Sequence, residues 1–191
     1  MAGSTDLLEL FKESGALLEG HFLLTSGLHS PHYLQCALFL QFPTHAERVG
    51  RELAAVLAPF SPTVVVSPAV GGILVGHEVA RALGLRAVFT EREAGVMTLR
   101  RGFSLKAGEK AVVVEDVVTT GGSVVDAAQA VERSRVEVVA YGAIIDRSGG
   151  QVNLNHPLKT LITVNFSTYK PPDCPLCRQG IPAIKPGSRG L

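Results

Sequence analysis

The sequence has no tryptophan, only three cysteines and no large excess of charge of either sign. A small and odd number of cysteines does not build a disulfide framework. The formal net charge of +1 gives no global basic field of the kind that attracts nucleic acid or an anionic membrane surface. No apolar run approaches the roughly 18 to 20 residues that a membrane-spanning helix requires. The N-terminus also lacks a basic segment followed by an apolar stretch, so we expect no signal peptide and a cytoplasmic protein.

What remains is the composition of an ordinary globular chain, in which 46% of the residues are hydrophobic and 18% are charged. A length of 191 residues is enough for one well-buried domain with a small appendage. We expect a helix and hood-like segment over residues 1–40, a core over residues 41–167, and an irregular tail over residues 168–191 that packs on the core.

The N-terminal part predicts two helices separated by a hairpin-like segment. The first helix starts near Ser4 or Thr5 and ends by Gly15, and residues 20–35 form two short extended pieces joined by a Ser-Gly turn. The second helix begins with a capping box, in which Thr44 and Glu47 satisfy backbone N–H groups, and ends before a proline.

From residue 64 onward, apolar strands alternate with helices. We predict strands at 64–66, 87–89, 111–114, 136–145 and 161–164, and helices at 73–83 and 123–132. Continuous apolar strands of this kind belong to a mostly parallel sheet that is covered on both faces. Ligands bind such sheets beyond the carboxyl ends of the strands.

Residues 90–108 interrupt this alternation with a polar and basic segment. Arg92, Arg100, Arg101 and Lys106 lie in it, where a helix is expected. A long connection of this sort is typical of a functional lid or of a β-hairpin.

The strongest functional signal is the stretch from Glu115 to Ser123. A buried strand ends in two adjacent acids, and a loop of Thr and Gly then leads into a helix. The backbone N–H groups of such a loop form an anion cradle with the helix N-terminus. The glycines let the backbone approach a ligand closely. The segment matches neither the Walker loop nor the dinucleotide fingerprint.

This arrangement resembles the 5-phosphoribosyl diphosphate signature of type I phosphoribosyltransferases. In that family the loop holds the 5'-phosphate and the acids contact the ribose hydroxyls. The resemblance implies donor binding by Glu115, Asp116, Val117, Val118, Thr119, Thr120, Gly121, Gly122 and Ser123. It also implies catalytic roles for Glu115, Asp116 and Arg92, with Arg92 on the donor as well. The implied fold is α/β: a mostly parallel sheet flanked by helices, with a small N-terminal hood and a flexible basic loop or hairpin.

The segment 20–33 resembles the hood of orotate phosphoribosyltransferases, which closes over the pyrimidine. The resemblance places Tyr33 and Leu34 against the base, and Thr119 on orotate as well. Arg147 falls where that family carries an arginine for the orotate carboxylate, and a planar guanidinium binds a carboxylate through two N–H groups. The implied reaction joins orotate to 5-phosphoribosyl diphosphate, giving orotidine 5'-monophosphate and diphosphate in pyrimidine synthesis. The loop 68–72 resembles the family's second loop, which lies against the diphosphate.

The sequence departs from the family pattern in its basic residues. No lysine occurs between Lys12 and Lys106, although many relatives carry lysines in the hood, the second loop and the mobile loop. The candidates to meet the diphosphate are therefore Arg92, Arg100 and Arg101. Since an arginine does not readily give up a proton, it would stabilise charge rather than act as a general acid.

The resemblance also implies a cofactor and an assembly. Mg²⁺ is expected to be held mainly by the donor, without evident protein ligands. The loop 90–103 is expected to close over the site and to reach across a homodimer. Nucleic acid and membrane are not expected partners.

Two other functions stay open at this point. A purine phosphoribosyltransferase would keep the same loop but would need neither the hood nor Arg147. A non-catalytic regulator would keep the site as a sensor of 5-phosphoribosyl diphosphate and bind RNA or DNA. The missing lysines favour the regulator, whereas the near-neutral charge and the intact acid pair argue against it.

The pair Cys174 and Cys177 has the spacing of half a metal site. A structural zinc ion normally needs four ligands, and the sequence has no second C-x-x-C. We interpret the pair as two surface thiols, with a half-site completed by a second subunit as the alternative. The histidines form no recognisable metal motif, and His21, His29 and His32 are expected on the surface of the hood.

Overall fold

A computed structural model describes residues 4–186 of the chain. The helices are α1 (Ser4–Glu13), α2 (Cys36–Leu40), α3 (Pro43–Leu57), α4 (Gly72–Leu83), α5 (Gly122–Glu132) and α6 (Pro175–Arg178). The strands are β1 (Leu17–Leu23), β2 (His29–Leu34), β3 (Val64–Pro68), β4 (Arg86–Glu93), β5 (Val96–Leu99), β6 (Lys110–Val118), β7 (Glu137–Asp146) and β8 (Leu158–Thr163). They form two compact units: a larger one of residues 40–164, and a smaller one that combines the described residues up to 39 with those from 165 onward.

The larger unit is built on a six-stranded sheet in the order β5-β4-β3-β6-β7-β8. All neighbouring strands are parallel except β4 and β5, which form an antiparallel pair. The helices between the strands cover the sheet, so the predicted α/β fold class is confirmed. The carboxyl ends of β3 and β6, which are adjacent in the sheet, lie at the same edge.

The central strand β3 shows why this sequence gives a covered parallel sheet. Its three consecutive valines are fully buried, and Val64 and Val66 belong to the same apolar cluster as residues of α5. On the opposite face, α4 comes so close that a side chain on Gly76 would collide with Ser67. Burying a valine contributes about 1.5–3 kcal/mol, so helices on both faces are needed to use all three side chains.

The polar segment after β3 and α4 is a β-hairpin, one of the two predicted possibilities. β4 runs to Glu93, well beyond the predicted strand, and pairs with β5 from Thr90 to Glu93. Ala94 and Gly95 make the turn with positive φ angles of 50° and 85°. Two successive positive φ angles are typical of the tight turns that join twisted antiparallel strands.

Two local predictions are wrong. Helix α3 begins at Pro43, and no side chain caps it, so Thr44 and Glu47 form no capping box. Proline suits the first helical position because its φ is already helical. An N–H at this position would have no partner inside the helix, so its absence costs no hydrogen bond. The acid pair does not end its strand either, because Val117 and Val118 continue β6 by pairing with Ile145 and Asp146 of β7.

The smaller unit contains the predicted hairpin and the first helix. β1 and β2 pair in antiparallel register, with a bulge in β1 between Glu19 and Phe22. Gly27 supplies the positive φ of the turn, at 80°. Helix α1 ends at Glu13, two residues before Gly15, and its Phe11 ring stacks on Phe39 with 4.0 Å between the ring centroids.

The described part of the tail pairs with both edges of this hairpin. His29 and Tyr169 exchange two backbone hydrogen bonds of 2.8 Å, and Ile184 makes two of 2.8 Å with His21 and Leu23. Helix α6 lies between these two attachments. The predicted packing of the tail on the core stays a prediction, and its last residues, 187–191, lie outside the described range. Among the described residues, no helix has the length and apolarity to cross a membrane.

Three residues of the tail and the hairpin that we expected on the surface are buried, so these predictions are wrong. Cys174 is fully buried, and His21 and His29 are only 2% and 8% exposed. Cys177 is exposed, as predicted. The bulge in β1 explains His21, because it breaks the alternation and lets both His21 and Phe22 face inward.

Candidate functional site

The predicted anion loop lines a cavity of about 50 Å³ in the larger unit. Its walls are Glu115, Val117, Val118, Thr119, Thr120, Gly121, Gly122, Ser123 and Val124. The cavity lies where β6 ends and α5 begins. The structure therefore brings together nearly all of the stretch that the sequence singled out.

The loop has the geometry of an anion cradle. Gly121 precedes α5 with a φ of 80°, and its carbonyl accepts the first helical hydrogen bond, from the N–H of Val125, at 3.0 Å. The N–H groups of the first helical turn have no partner inside a helix and carry the positive end of the helix dipole. A phosphate is the kind of ligand that such groups bind.

Two glycines in this loop serve different purposes. A Cβ on Gly121 would lie 2.5 Å from Leu154 and 3.1 Å from Val152, so this glycine is required by packing and by its φ. A Cβ on Gly122 would meet only the Thr120 hydroxyl, at 3.8 Å. The fold of the larger unit therefore leaves space for a side chain at 122, so packing does not require this glycine.

In the acid pair beside the cavity, Glu115 is buried and Asp116 is half-buried. The N–H of Val117 donates to Asp116 Oδ1 at 2.8 Å, and the N–H of Asp116 donates to Glu115 Oε1 at 3.2 Å. Burial raises the pKa of both carboxyls, and repulsion from Asp116 raises the pKa of Glu115 further, to about 9. The two carboxyls are therefore harder to ionise than free ones, and a ligand that brings hydroxyl donors or a cation would stabilise their charged form.

The second loop, residues 68–72, lies directly against the acid pair. A Cβ on Gly71 would be 2.8 Å from both carboxylate oxygens of Asp116. A Cβ on Gly72 would be 2.8 Å from the carbonyl of Val114 and 3.0 Å from Glu115 Oε1. Both glycines are thus needed to seat this loop beside the carboxylates.

Arg147 directly follows β7, the strand that pairs with β6 beside the anion loop. Its N–H donates to the carbonyl of Val118 at 2.8 Å, which ties the two strand ends together. The buried carboxylate of Asp146 shapes the turn that follows, accepting from the N–H groups of Ser148 and Gly150 at 2.8 and 2.9 Å. Within residues 4–186 the Arg147 guanidinium makes no ion pair, and the residue is half-buried. A cation in this state is suited to receive an anionic ligand.

The three arginines of the basic hairpin all have acidic partners. Arg92 bonds to Asp126 of α5 at 2.5 Å and to the carbonyl of Gly95 at 3.0 Å. Arg101 makes a two-pronged contact with Glu91 at 2.7 and 2.8 Å, and Arg100 lies 3.4 Å from Glu93. Arg92 lines a second depression, beside Asp126 and Arg133, rather than the cavity of the anion loop.

Tyr33 and Leu34 end strand β2 in the smaller unit. Both are half-buried, and the Tyr33 ring packs against Phe22 with 5.8 Å between the ring centroids. Their contact with a base stays a prediction.

The sequence did not predict the residues that pack against the anion loop at Gly121. Val152 and Leu154 back Gly121, although about thirty residues separate them along the chain. No local pattern signals such a contact, because it arises only when the segment after β7 folds over the start of α5. The glycine pair at 71 and 72 could have been weighted more heavily, since adjacent glycines often mark a close approach.

Comparison with known proteins agrees with this geometry. Residues 45–173 match the model of the phosphoribosyl transferase domain. The orotate phosphoribosyltransferase of Pelotomaculum thermopropionicum is 54% identical over 186 residues, 97% of this chain and 98% of its own. That of Caldicellulosiruptor saccharolyticus is 53% identical over 95% of both chains. The crystal structure of the Aeropyrum pernix enzyme of the same name has the same fold, with a TM-score of 0.70 and 23% identity over 83% of this chain and 93% of its own. The family expected from the sequence motifs is thus confirmed: the chain belongs to the phosphoribosyltransferases and, within them, to the orotate phosphoribosyltransferases.

Proposed function

We propose that this chain transfers the 5-phosphoribosyl group from 5-phosphoribosyl diphosphate to orotate, giving orotidine 5'-monophosphate and diphosphate. The observation that carries the proposal is the half-buried guanidinium of Arg147, which has no acidic partner within residues 4–186 and whose backbone is bonded to the strand of the anion loop. The near-full-length relatives bear the name of this activity. In this proposal the reaction is a step of pyrimidine nucleotide synthesis, and the protein acts in the cytoplasm.

The donor binds through its phosphate and its ribose. The 5'-phosphate lies in the cradle from Thr119 to Ser123, where hydroxyls and N–H groups donate to it. The ribose hydroxyls lie against Glu115 and Asp116. A pair that shares one proton can both accept and donate hydrogen bonds, so it matches two hydroxyls that also do both.

The reaction is a displacement at the anomeric carbon, with positive charge developing on the ribose. The negative charge of the acid pair stabilises this oxocarbenium character. Holding the phosphate at one end of the sugar and the hydroxyls at the other fixes the anomeric carbon, so little freedom is lost in the transition state. The glycines at 71 and 72 let the leaving diphosphate approach the backbone beside the acids.

Orotate is recognised by its carboxylate. Arg147 binds this group through two N–H groups, as guanidinium groups bind carboxylates in general. Thr119 adds a hydroxyl from the loop. Tyr33 and Leu34 form an apolar contact with the pyrimidine from the hood segment.

Mg²⁺ fits this site as a cation brought by the donor. Two partly desolvated carboxylates with raised pKa values favour a nearby divalent ion. Glu115 and Asp116 would face it through the ribose hydroxyls, and most of its ligands would come from the donor and from water. When bound, it supplies charge neutralisation for the leaving diphosphate.

The basic hairpin acts in a dimer. Arg92 contacts Asp126 and lines a depression of its own subunit, and it is not among the residues that line the cavity of its own anion loop. In this proposal the loop 90–103 crosses to the site of a second copy. There one of Arg92, Arg100 and Arg101 leaves its acidic partner to meet the diphosphate, and closure of the loop excludes water from the cation.

A substrate panel tests the proposal. The protein is mixed with 5-phosphoribosyl diphosphate and Mg²⁺, and orotate, hypoxanthine, xanthine and uracil are offered in parallel, with loss of orotate absorbance and release of diphosphate as readouts. Turnover of orotate alone supports the assignment. Consumption of a purine without orotate turnover contradicts it in favour of a purine enzyme, and tight donor binding without any turnover contradicts it in favour of a sensor.

A further inference from the structure

Four side chains of the smaller unit bring their nitrogen and sulfur atoms together: His21, His29, Cys174 and Cys177. All four ligand atoms lie within 4.8 Å of one another. His21 Nε2 lies 3.5 Å from the Cys174 sulfur and 3.8 Å from the Cys177 sulfur. His29 Nδ1 lies 3.2 Å from the Cys177 sulfur and 2.7 Å from His21 Nε2.

These separations match the size of a tetrahedral zinc site. With Zn–N and Zn–S bonds of about 2.0–2.3 Å, neighbouring ligand atoms lie about 3.3–3.8 Å apart. The nitrogen–sulfur distances already fall near this range. The two histidine nitrogens are closer, so an ion between them requires the rings to separate by roughly half an ångström.

We propose that His21, His29, Cys174 and Cys177 bind one zinc ion as a structural Cys₂His₂ site. All four ligands come from one chain, so no second subunit is needed to complete the C-x-x-C pair. Two thiolates and two neutral imidazoles around Zn²⁺ give a complex without net charge, which suits a group of which three members are buried. Nitrogen and sulfur ligands in this number favour zinc over magnesium or calcium, which prefer oxygen.

Hydrogen bonding without a cation leaves this cluster poorly matched. His21 Nδ1 lies 2.7 Å from the carbonyl of Ile181, so it must carry the proton and donate. In the neutral ring, His21 Nε2 is then a single lone pair, facing His29 and both cysteine sulfurs. Two thiol protons and an imidazole proton compete for it. Binding of Zn²⁺ resolves the conflict: the two S–H protons leave to solvent, and four lone pairs point at one ion.

The Ile181 contact is also the outer-shell arrangement that zinc sites use. A zinc-bound histidine commonly donates its other N–H to a backbone carbonyl, which fixes its tautomer and ring orientation. Ile181 follows the cysteines on the same tail, so its carbonyl orients His21 from the segment that supplies two of the ligands.

The backbone holds each ligand in place. His21 faces inward because of the bulge in β1, and His29 begins β2. Cys174 directly precedes α6 and Cys177 lies within it, so a single turn presents both sulfurs on one side. The tail is already anchored at Tyr169 on one edge of the hairpin and at Ile184 on the other. An ion at the four ligands would fasten the middle of this tail segment to the hairpin.

The role of the ion is therefore structural. Small units with few buried side chains commonly depend on a metal or a disulfide for stability. The site uses none of the residues assigned to the donor or to orotate. An experiment that rejects the zinc site therefore leaves the proposed function unaffected, and the reverse also holds.

Metal content and cobalt substitution test the proposal on the full chain. The protein is produced with zinc in the medium, dialysed against metal-free buffer and measured by elemental analysis, and we expect about one zinc per chain. The chelator-treated, reduced protein is then titrated with Co²⁺. We expect intense tetrahedral d–d absorption with a sulfur-to-cobalt charge-transfer band, saturating at about one equivalent. Cys174→Ser with Cys177→Ser, and separately His21→Asn, should abolish both signals, whereas Cys36→Ala removes the third cysteine, buried outside the cluster, and should keep both.

Three results would overturn the assignment. One is the absence of zinc together with no Co²⁺ spectrum in reduced wild-type protein. Another is uptake that the Cys174/Cys177 double variant retains in full. The third is stoichiometric iron in place of zinc. The first and third results are measured on wild-type protein, so they decide the matter even if a variant fails to fold. A chelator should also lower the Tm of wild-type protein but leave the Tm of a folded double variant unchanged, and an equal effect on both would argue against a structural ion.

Discussion

A Cβ atom on Gly71 would lie 2.8 Å from both carboxylate oxygens of Asp116. The second loop and the acid pair are therefore in contact, and their positions depend on each other. Gly71 has an ordinary helical φ of −58°, so alanine is tolerated by the backbone there and only the added methyl group disturbs the site.

Gly71→Ala should lower kcat/KM by about 10- to 100-fold because it displaces the Asp116 carboxylate. The test is a double-mutant cycle with Asp116→Asn. If the methyl group acts through Asp116, the two losses should combine to clearly less than their product. Fully multiplicative losses would contradict this coupling.

Gly121→Ala and Gly122→Ala should separate packing from ligand approach. Alanine at 121 meets Leu154 at 2.5 Å and is strained by the positive φ, so unfolding should become easier by about 1–3 kcal/mol. Alanine at 122 has space and should leave the Tm nearly unchanged while raising the KM for 5-phosphoribosyl diphosphate. Thermal denaturation and donor titration measure both effects. A Gly122→Ala protein with unchanged KM would show that the donor does not approach this backbone.

Stability should depend on pH through the acid pair. The pKa of Glu115 is about 9 in the folded chain against an ordinary value of 4.5. The folded state therefore binds more protons between these values, and the free energy of unfolding contributed by this group falls as pH rises from about 4.5 to about 9.

Glu115→Gln should remove this loss of folding stability at high pH. At pH 8 we expect the variant to be more stable than wild type by roughly 1–3 kcal/mol, with little difference near pH 4, and to transfer the phosphoribosyl group more slowly. Urea denaturation at several pH values measures the difference, and Glu137→Gln, at an exposed carboxylate on β7, is the control. Equal stability of Glu115→Gln and wild type at pH 8 would contradict a raised pKa.

Arg147→Ala should impair orotate binding selectively. Charge-assisted hydrogen bonds to a carboxylate contribute about 1.5–3 kcal/mol, so the KM for orotate should rise about 10- to 100-fold. The KM for the donor should change about twofold at most. Arg147→Lys should restore only part of the loss because an ammonium lacks the two-pronged geometry, and Arg51→Ala on α3 serves as control. Equal losses for donor and orotate would remove the assigned role.

The Arg92–Asp126 pair offers a test of the basic hairpin. This contact is largely exposed, so breaking it should cost about 1 kcal/mol or less. If Arg92 leaves Asp126 to meet the diphosphate, Asp126→Asn should keep kcat at or above the wild-type value, whereas Arg92→Ala should lower it by about 10-fold or more. Steady-state kinetics compare the two, and equal losses would assign the pair a merely structural role.

Much of the fold and of the candidate site could be predicted from the sequence, because both rest on local patterns. Consecutive valines, as at 64–66, predict a doubly covered strand wherever they lie. The acid pair and the Thr/Gly loop predicted the place of the candidate site because their residues are contiguous in the chain. The failures were also local: Pro43 starts its helix without the capping box expected at Thr44, and β6 runs past the acids because β7 extends beside it.

By itself, then, the sequence determined the α/β layering, the position of the candidate site and the family, since each is carried by neighbours in the chain. Only the tertiary structure decided which distant residues meet. It set Gly71 against Asp116, placed Leu154 behind Gly121, and left Arg147 half-buried without an acidic partner among the described residues. It also turned two cysteines and two histidines, about 150 residues apart, into one cluster. Such contacts depend on a bulge, a strand end and the path of the tail, and the type or spacing of the residues does not encode them individually.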